Sequence, residues 1–358
     1  MSNNYFLERD EKNIQKQKEI IQHLPKFAHE FFIGISQKTS ALTRLNYAYD
    51  LRIFFDYLAK RVLNKKVLDI ELKDLEKVAA YDIEVFLDYL SAYEFNGRKL
   101  KASAMAKERK LSTIRSFFKY YFNKDKIEKN VSTKVDMPKI MDKDIVKLEP
   151  NEVAALLDKI DDDEVAGLTS RQNKMHHKLK IRDSAIVTLF LGTGIRISEL
   201  VGLNIDDLHF ESNSFSVTRK GGSNTTLYFT DEIAFALKNY LNYLRKEILE
   251  ETVFGLKLIK NGYSKKSALF ISLQGTRITV RAVENLVKKY SRLITPKKIT
   301  PHKLRSTFGT ELYKNTQDIY VVADVLGHKD INTTKKHYAA ISEEIRRSAV
   351  KTVKLRED

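Results

Sequence analysis

The sequence predicts a mainly α-helical protein with a small β-sheet, made of an N-terminal helical bundle and a C-terminal mixed α/β domain. Three observations support this fold class. The 358 residues include 13 Gly and 5 Pro, and so few helix-breaking residues favour helices. Apolar residues recur at helical spacing in both halves of the chain. Alternating apolar residues flank one turn sequence, RKGGSN, in the second half.

The composition limits what the chain can be. Hydrophobic residues make up 42% of it, which is enough for a sizeable core in each of two domains. The chain contains no Cys, which excludes disulfides and thiolate metal sites. No apolar run approaches the roughly 18–20 residues of a membrane span. The charged N-terminus predicts that there is no signal peptide, so we expect a cytoplasmic protein.

The first 124 residues are predicted to contain a charged leader over 1–25, either helical or frayed, and a helical bundle over 26–124. We expect about four helices, because three stretches show i, i+3, i+4, i+7 spacing and the periodicity stays helical throughout. The spacing is clearest for Leu51, Phe54, Phe55 and Leu58, which follow a helix-start signal at Thr39 and Ser40.

The periodicity stops at residue 125, and the charged stretch over 125–147 is predicted to be an interdomain linker. A second domain is predicted over 148–340. Its expected elements are a helix from Pro150, a helix over 185–191, a helix from Arg196, strands over 208–218 and 225–229, a helix over 233–249, a short strand over 268–272, and helices over 280–294, from 301, and over 319–326.

The chain carries 63 Lys+Arg against 47 Asp+Glu, a net charge of +16. Such a surplus fits a nucleic acid partner, an anionic membrane surface or plain solubility. Clustering favours nucleic acid, because residues 97–129 hold eleven Lys or Arg, three acids and several aromatic residues. The aromatic residues can equally be core, with the bases on the solvated side of the same helix. The predicted DNA-binding residues are Arg98, Lys99, Lys101, Lys107, Arg109, Lys110, Arg115 and Lys119.

Two helix starts carry candidate anion-binding residues. His302 and Arg305 share one face in the first turn of a helix, beside free backbone N–H groups and the positive helix end. A solvated helix start is the alternative interpretation. Arg196 repeats the arrangement beside two glycines, and Glu199 is at the spacing that would orient its side chain.

Three other residues are candidates by position. Lys220 lies in a hairpin turn, where lysines are usually only solvated, and His328 follows a helix stop ten residues before Tyr338. His176 and His177 are adjacent and would point apart on a helix, which argues against a shared metal. No metal-binding or nucleotide-binding motif is present, so we expect no metal and no cofactor.

In order and spacing, GTGIRISEL, the hairpin lysine, TPHKLR and LGHKDINTTKKHY resemble the tyrosine recombinase/integrase superfamily over residues 148–340. The basic helical N-terminal region resembles that family's core-binding domain. RKGG and TPHKLR are most similar to Xer-type, in particular XerS-like, recombinases. One departure is Ser306, where many members have a second His.

The resemblance implies an enzyme that cleaves and rejoins duplex DNA through a covalent 3′-phosphotyrosine, without metal or ATP. Tyr338 would be the nucleophile. The other implied catalytic residues are Arg196, Lys220, His302, Arg305 and His328. The implied partners are double-stranded DNA, further copies of the chain (a dimer on a site, a tetramer in the synapse) and, as a candidate, a DNA translocase such as FtsK. Residues 341–358 would dock as a helix on a neighbouring subunit, with packing on their own domain as the alternative.

Several functions remain open from the sequence. The recombinase could resolve chromosome dimers at a dif-like site or integrate and excise a mobile element. A catalytically inactive DNA-binding relative would have a broken residue set, whereas all six positions are filled here. A type I topoisomerase shares this chemistry but would act without site preference.

Overall fold

The computed structural model describes residues 4–140, 145–219, 222–251, 268–328, 330, 331, 334 and 350. The chain divides into two compact units, residues 1–143 and 144–358. Helices dominate both units, and the described residues contain two small antiparallel sheets. The structure therefore confirms the predicted fold class. None of the described helices is long and apolar enough to cross a membrane.

The first unit is a helical bundle with one hairpin. Its elements are α1 Asn4–Ile21, α2 Ala28–Gly34, α3 Ala41–Leu58, α4 Ala80–Tyr89, β1 Tyr93–Phe95, β2 Arg98–Leu100 and α5 Ala104–Phe122. One π-helical turn, Ala59–Leu63, continues α3. Short 3₁₀ turns span Val67–Asp69, Leu72–Lys77 and Val131–Lys134.

Local signals and core packing both explain these helices. The side chains of Ser40 and Ser103 accept hydrogen bonds from backbone N–H groups three residues on, which caps α3 and α5. The four apolar residues predicted to share one face of α3 are all fully buried. Aromatic rings fill much of the core, and Phe31 and Phe117 meet edge to face with ring centroids 5.0 Å apart.

The leader, predicted to be helical or frayed, forms α1, and Ile20 and Ile21 at its end enter the core of the bundle. Two features of this unit differ from the predictions. Residues 93–100 form a hairpin where continuous helix was expected. Asn96 and Gly97 both have positive φ, 52° and 70°, as a tight two-residue hairpin turn requires. The first part of the predicted linker is packed, since Ile127 and Val135 are also buried in this core.

The second unit contains the predicted mixture of helices and strands. Its elements are α6 Pro150–Asp161, α7 Ser170–Thr193, α8 Ile197–Gly202, β3 Leu208–His209, β4 Ser214–Thr218, β5 Asn224–Tyr228, α9 Asp231–Asn239, α10 Lys246–Glu251, α11 Val280–Ile294, α12 Pro301–Thr316 and α13 Ile319–Leu326. The strands form one antiparallel sheet in the order β3-β4-β5.

Four elements of this unit differ in extent or type from the prediction. The strand expected over 208–218 is two antiparallel strands, β3 and β4, paired with each other. The helix expected over 185–191 is the buried end of α7, which begins at Ser170. The helix expected over 233–249 is α9 and α10, joined by a π-helical stretch, Tyr240–Arg245. The strand expected over 268–272 is reduced to isolated bridges, from Ala268 to Asn204 and from Ile271 to Arg277.

A buried polar network joins α7 to α11. His176 Nδ1 lies 2.8 Å from the Tyr290 hydroxyl, and His176 Nε2 lies 2.6 Å from the Asp162 carbonyl oxygen. The Tyr290 hydroxyl donates to Asp183 at 3.0 Å. Both nitrogens of His176 are thus engaged in structural hydrogen bonds, whereas His177 is exposed.

Candidate active site

Four of the six predicted catalytic residues lie in the described part of the second unit: Arg196, His302, Arg305 and His328. The other two, Lys220 and Tyr338, lie outside the described residues. The same holds for the predicted C-terminal helix over 341–358, apart from residue 350.

Arg196 is the residue that precedes α8, and Glu199 fixes its side chain. The backbone N–H of Arg196 donates to Glu199 Oε2 at 3.0 Å, and its Nη1 donates to Oε1 at 2.8 Å. Glu199 is buried, so this pair is shielded from water. The other end of the guanidinium, Nη2, donates to the Gly327 carbonyl at 2.8 Å. The half-buried guanidinium therefore has a defined orientation.

Arg305 lies one turn into α12 and is buried. Its Nη1 donates to the Gly194 carbonyl at 2.5 Å, and its Nη2 donates to the Leu326 carbonyl. Gly194 ends α7 with φ at +61°, a backbone conformation that glycine adopts without strain. Arg305 and Arg196 thus donate to the carbonyls of consecutive residues, 326 and 327, so the two guanidinium groups converge at the end of α13.

His302 lies one turn before Arg305 and is exposed. Partial desolvation by the surrounding protein lowers its pKa, and the positive charges of Arg305, Lys303 and Arg196 lower it further. The imidazole is therefore neutral at pH 7 and able to accept a proton. Ser306, the position that departs from the family pattern, is buried, and its hydroxyl donates to the His302 carbonyl at 3.1 Å.

His328 directly follows α13, which ends at Gly327 with φ at +60°. The backbone N–H of His328 donates to the Ala323 carbonyl at 2.9 Å. Its Nδ1 lies 2.7 Å from the hydroxyl of Thr334, which is fully buried. These contacts hold the ring in place, and His328 directly follows Gly327, whose carbonyl accepts from Arg196.

Sequence reasoning missed Arg219, which joins the same set of carbonyls. Arg219 is buried, and its Nη2 donates to the Val325 carbonyl at 2.9 Å. Three arginines therefore donate to three consecutive carbonyls at the end of α13. The only sequence signal for Arg219 was its position next to Lys220 in a turn.

The site is suited to an oxyanion. Guanidinium groups are planar paired donors that match phosphate oxygens, and they stay charged at neutral pH. Within the described residues, three such groups meet at the end of α13 with one buried carboxylate, Glu199. The neutral imidazole of His302, which is exposed, adds a proton acceptor to this site.

The predicted DNA-binding residues of the first unit fall into two groups. Arg98 and Lys99 on β2, Lys101 after it, and Lys119 on α5 are exposed, as a phosphate-binding surface requires. Lys107 is half-buried and donates to the Ser91 hydroxyl at 2.7 Å.

The structure corrects the prediction for Lys110, which is buried in the bundle. Its Nζ donates to Asp50 at 2.9 Å, and Arg109 donates to the same carboxylate at 2.5 Å. Arg115 is half-buried and donates to the carbonyls of Ser132 and Val135. Lys110 therefore holds α5 to α3 and is not available to contact DNA.

Two family models match this chain. The model described as the Phage integrase family matches residues 148–344, and the Phage integrase, N-terminal SAM-like domain matches residues 29–124. Tyrosine recombinase XerC of Caldanaerobacter subterraneus subsp. tengcongensis is 32% identical over 323 residues, covering 87% of this chain and 82% of that protein. Tyrosine recombinase XerD of Lacticaseibacillus casei is 30% identical, covering 63% of this chain and 69% of that protein.

Solved structures share the fold. The XerH site-specific recombinase bound to a palindromic difH substrate, in a post-cleavage complex, matches with a TM-score of 0.59 at 20% identity, covering 87% of this chain and 80% of that one. The Tn1549 transposon integrase in complex with transposon right end DNA matches with a TM-score of 0.60 at 21% identity, covering 89% of this chain and 98% of that one.

Proposed function

This chain belongs to the phage integrase family and is an Xer-like site-specific tyrosine recombinase, and from that premise we propose that it resolves chromosome dimers at a dif-like site. In this role it acts in chromosome partition at cell division. The observation that supports the catalytic proposal most strongly is the convergence of Arg196 and Arg305 on consecutive carbonyls.

The proposed reaction transfers a phosphodiester from a DNA 5′-oxygen to the Tyr338 oxygen, and then to another 5′-hydroxyl. Negative charge builds on the two non-bridging oxygens as the tyrosine attacks. Arg196 and Arg305 donate to those oxygens, and their preorganised donors lower the barrier. His328 supplies a further donor beside them.

Proton transfers complete the proposed mechanism. A free tyrosine has a pKa near 10 and attacks poorly until its proton is removed. His302 accepts this proton, which its lowered pKa favours because the ring is neutral at pH 7. Lys220 protonates the leaving 5′-oxygen.

We propose that no metal and no ATP take part. Cationic side chains supply the charge stabilisation that a metal would otherwise give. The 3′-phosphotyrosine conserves the energy of the phosphodiester, so religation needs no nucleotide. Cleavage should therefore be unchanged when EDTA is present and ATP is omitted.

Double-stranded DNA is the proposed substrate. The exposed bases Arg98, Lys99, Lys101 and Lys119 are proposed to contact phosphates and so to contribute to affinity. The structural neighbours XerH and the Tn1549 integrase are themselves complexes with DNA. A dimer on each site, a tetramer in the synapse and a translocase such as FtsK complete the proposed assembly.

A suicide substrate, nicked opposite the cleavage position, tests this function. The wild-type chain should form a covalent protein–DNA adduct on a specific sequence, while Tyr338→Phe should bind the same DNA and form none. Adducts on many unrelated sequences would indicate a topoisomerase, and binding with no adduct would indicate an inactive relative.

Sequencing the DNA trapped on the protein in cells separates the two cellular roles. Adducts at one chromosomal site that is also required for dimer resolution support the dif-like role. Adducts at the ends of an excised circular element support the alternative, integration and excision of mobile DNA.

A further inference from the structure

Arg219 has a fixed backbone and an inward-facing side chain. It lies between β4 and β5, where its N–H donates to the Ser223 carbonyl at 2.8 Å and its carbonyl accepts from Gly222 at 3.0 Å. Its side chain is only 8% exposed, although it lies in a hairpin turn, where a cation is normally solvated. Some interaction other than solvation must therefore explain its position.

The guanidinium of Arg219 is incompletely bonded. Nη2 donates to the Val325 carbonyl at 2.9 Å, whereas Nε and Nη1 are buried and have no hydrogen-bond partner among the described residues. Leaving such donors unpaired costs about 1–3 kcal/mol each, and more for a charged group. Burial also lowers the pKa of Arg219; the negative charge of Glu199 opposes this lowering, and the positive charge of Arg196 adds to it.

A structural arginine of the same unit looks different. Arg277 donates through Nη1 to the carbonyls of Val201 and Leu203 at 2.7 and 2.9 Å, and through Nη2 to Asn204 at 2.6 Å. Its contacts hold the chain around α8 together. Arg219 makes one such contact, and two of its donors have no partner among the described residues. A structural role like that of Arg277 therefore does not explain why its charge is buried.

The location of these donors points to the candidate active site. A Cβ atom added to Gly327 would lie 1.6 Å from Arg219 Nη1, so the guanidinium packs directly on this glycine. The carbonyl of the same glycine accepts from Arg196. Arg219 and Arg196 therefore flank one residue, and Arg305 donates to the residue before it.

The charge balance of this cluster calls for an anion. Within the part of the chain that the structure describes, this cluster holds three guanidinium groups and one buried carboxylate, Glu199, which contacts Arg196 and acts on the charge of Arg219. Asp324, which also influences Arg219, is exposed. The surplus of two positive charges matches the two negative charges that a phosphodiester carries when it is attacked. A buried charge needs such a counter-charge.

We propose that Arg219 is a third phosphate-binding arginine, whose Nε and Nη1 donate to the non-bridging oxygens of the phosphodiester under attack. The turn at Gly327 covers the two donors, so the proposal requires this turn to move when DNA binds, while Glu199 and the Gly194 carbonyl keep Arg196 and Arg305 in place. The phosphate then satisfies donors that have no partner among the described residues. This inference rests on the proposed function, because it assigns Arg219 to the same reaction.

Neutralising the substrate tests the proposal. Arg219→Met keeps the length of the side chain and removes its charge. On a suicide substrate with an ordinary phosphate, we expect adduct formation to slow by about 10²–10³-fold relative to wild type. On the same substrate with a neutral methylphosphonate at the scissile position, the ratio of wild-type to variant rates should fall below about 10. The methylphosphonate carries one negative charge fewer, so Arg219 has less charge to stabilise in the transition state.

A structural role predicts a different result. Arg277→Met removes an arginine that holds carbonyls, so it should lower the melting temperature and give the same rate ratio on both substrates. An equal ratio on both substrates for Arg219→Met, or no loss on the ordinary phosphate, overturns the proposal. If Arg219→Met does not fold, Arg219→Lys gives the same comparison, because it keeps the charge and loses the paired donors. The ratio of wild-type to Arg219→Lys rates should also be larger on the ordinary phosphate than on the methylphosphonate.

The wild-type arm separates this proposal from the function on which it rests. A wild-type chain that forms no adduct on any sequence overturns the recombinase mechanism, and the role of Arg219 with it. A wild-type chain that forms the adduct, beside an Arg219→Met variant that is equally fast, overturns only the role of Arg219.

Discussion

Glu199 uses both carboxylate oxygens to hold Arg196, one on its backbone N–H and one on its guanidinium. Glu199→Gln leaves only one acceptor oxygen for the two donors. We therefore expect adduct formation to slow by about 10–100-fold, as is typical when the residue that orients a reactive group is changed. Single-turnover cleavage of the suicide substrate measures this effect.

The matched control is Glu284→Gln on α11. Glu284 forms an ion pair with Arg281 at the same i, i+3 spacing, at 3.4 Å, but both side chains are exposed. Because exposed pairs contribute only about 0–1 kcal/mol, this variant should keep its cleavage rate. Equal rates for Glu199→Gln and wild type would contradict an orienting role for Glu199.

The pKa of His302 gives a pH prediction. Desolvation and three neighbouring cations lower this pKa below the ordinary value of 6.5, so the neutral ring persists as the pH falls through 6.5. If His302 accepts the tyrosine proton, cleavage should decline only below that pH, as the ring becomes protonated. The imidazole titration can be followed by ¹⁵N-histidine NMR, with His302→Gln to assign the signal. A titration midpoint above 6.5 would contradict the prediction.

Among the elements, α3 and α5 are joined by a buried ionic cluster. Asp50 accepts from Lys110, Arg109 and Thr113, and both Asp50 and Lys110 are buried. Asp50→Asn removes the negative charge and leaves Lys110 without its counter-charge. We expect the free energy of unfolding to drop by about 3–5 kcal/mol, measured by urea denaturation.

Asp56→Asn on the same helix is the control. Asp56 pairs with the exposed Lys60 at i, i+4 spacing, so its loss should cost less than about 1 kcal/mol. Equal stabilities of the two variants would mean that the Asp50 cluster does not hold α3 to α5.

Local patterns predicted many elements closely. Sequence patterns located α11 over 280–294 and α13 over 319–326 with the bounds that the structure shows. The hairpin over 93–100 was missed although Asn96 and Gly97 form a turn dipeptide, because its strands are only three residues long and the helical periodicity on either side dominated.

The wrong prediction for Lys110 and the missed Arg219 have a common physical cause. Lys110 is buried with its partner Asp50, which lies 60 residues earlier in the sequence. Arg219 turns inward toward a carbonyl that lies 106 residues later. Helical spacing and turn chemistry report on neighbours within a few residues, so a single sequence cannot show that a cation will meet a distant acceptor. The positions of Arg196 and Glu199 were accessible because both lie in one turn.

At the scale of the whole molecule, the net charge of +16 predicts a salt-dependent affinity for DNA. Each phosphate contact contributes about −0.9 to the slope of log K against log salt concentration. Lys99→Ala should therefore reduce the slope by about 0.9 if Lys99 contacts a phosphate. Fluorescence anisotropy over a salt series measures the slope.

Lys73→Ala serves as the comparison. Lys73 belongs to the same unit and is also exposed, but it pairs with Glu71 at 2.6 Å and lies outside the basic cluster. Its variant should leave the slope unchanged. A slope that responds equally to both substitutions would show that affinity follows total charge instead of a defined surface.

The attachment of three arginines to the end of α13 has an evolutionary consequence. The helix spans only eight residues, and the acceptors are the carbonyls of residues 325, 326 and 327. Each residue of an α-helix contributes about 1.5 Å and about 100° of rotation. A one-residue insertion or deletion within α13 would therefore displace all three acceptors in a single step. Natural selection should conserve the length of this short helix as strictly as it conserves the arginines, even where the identities of its solvent-facing residues drift.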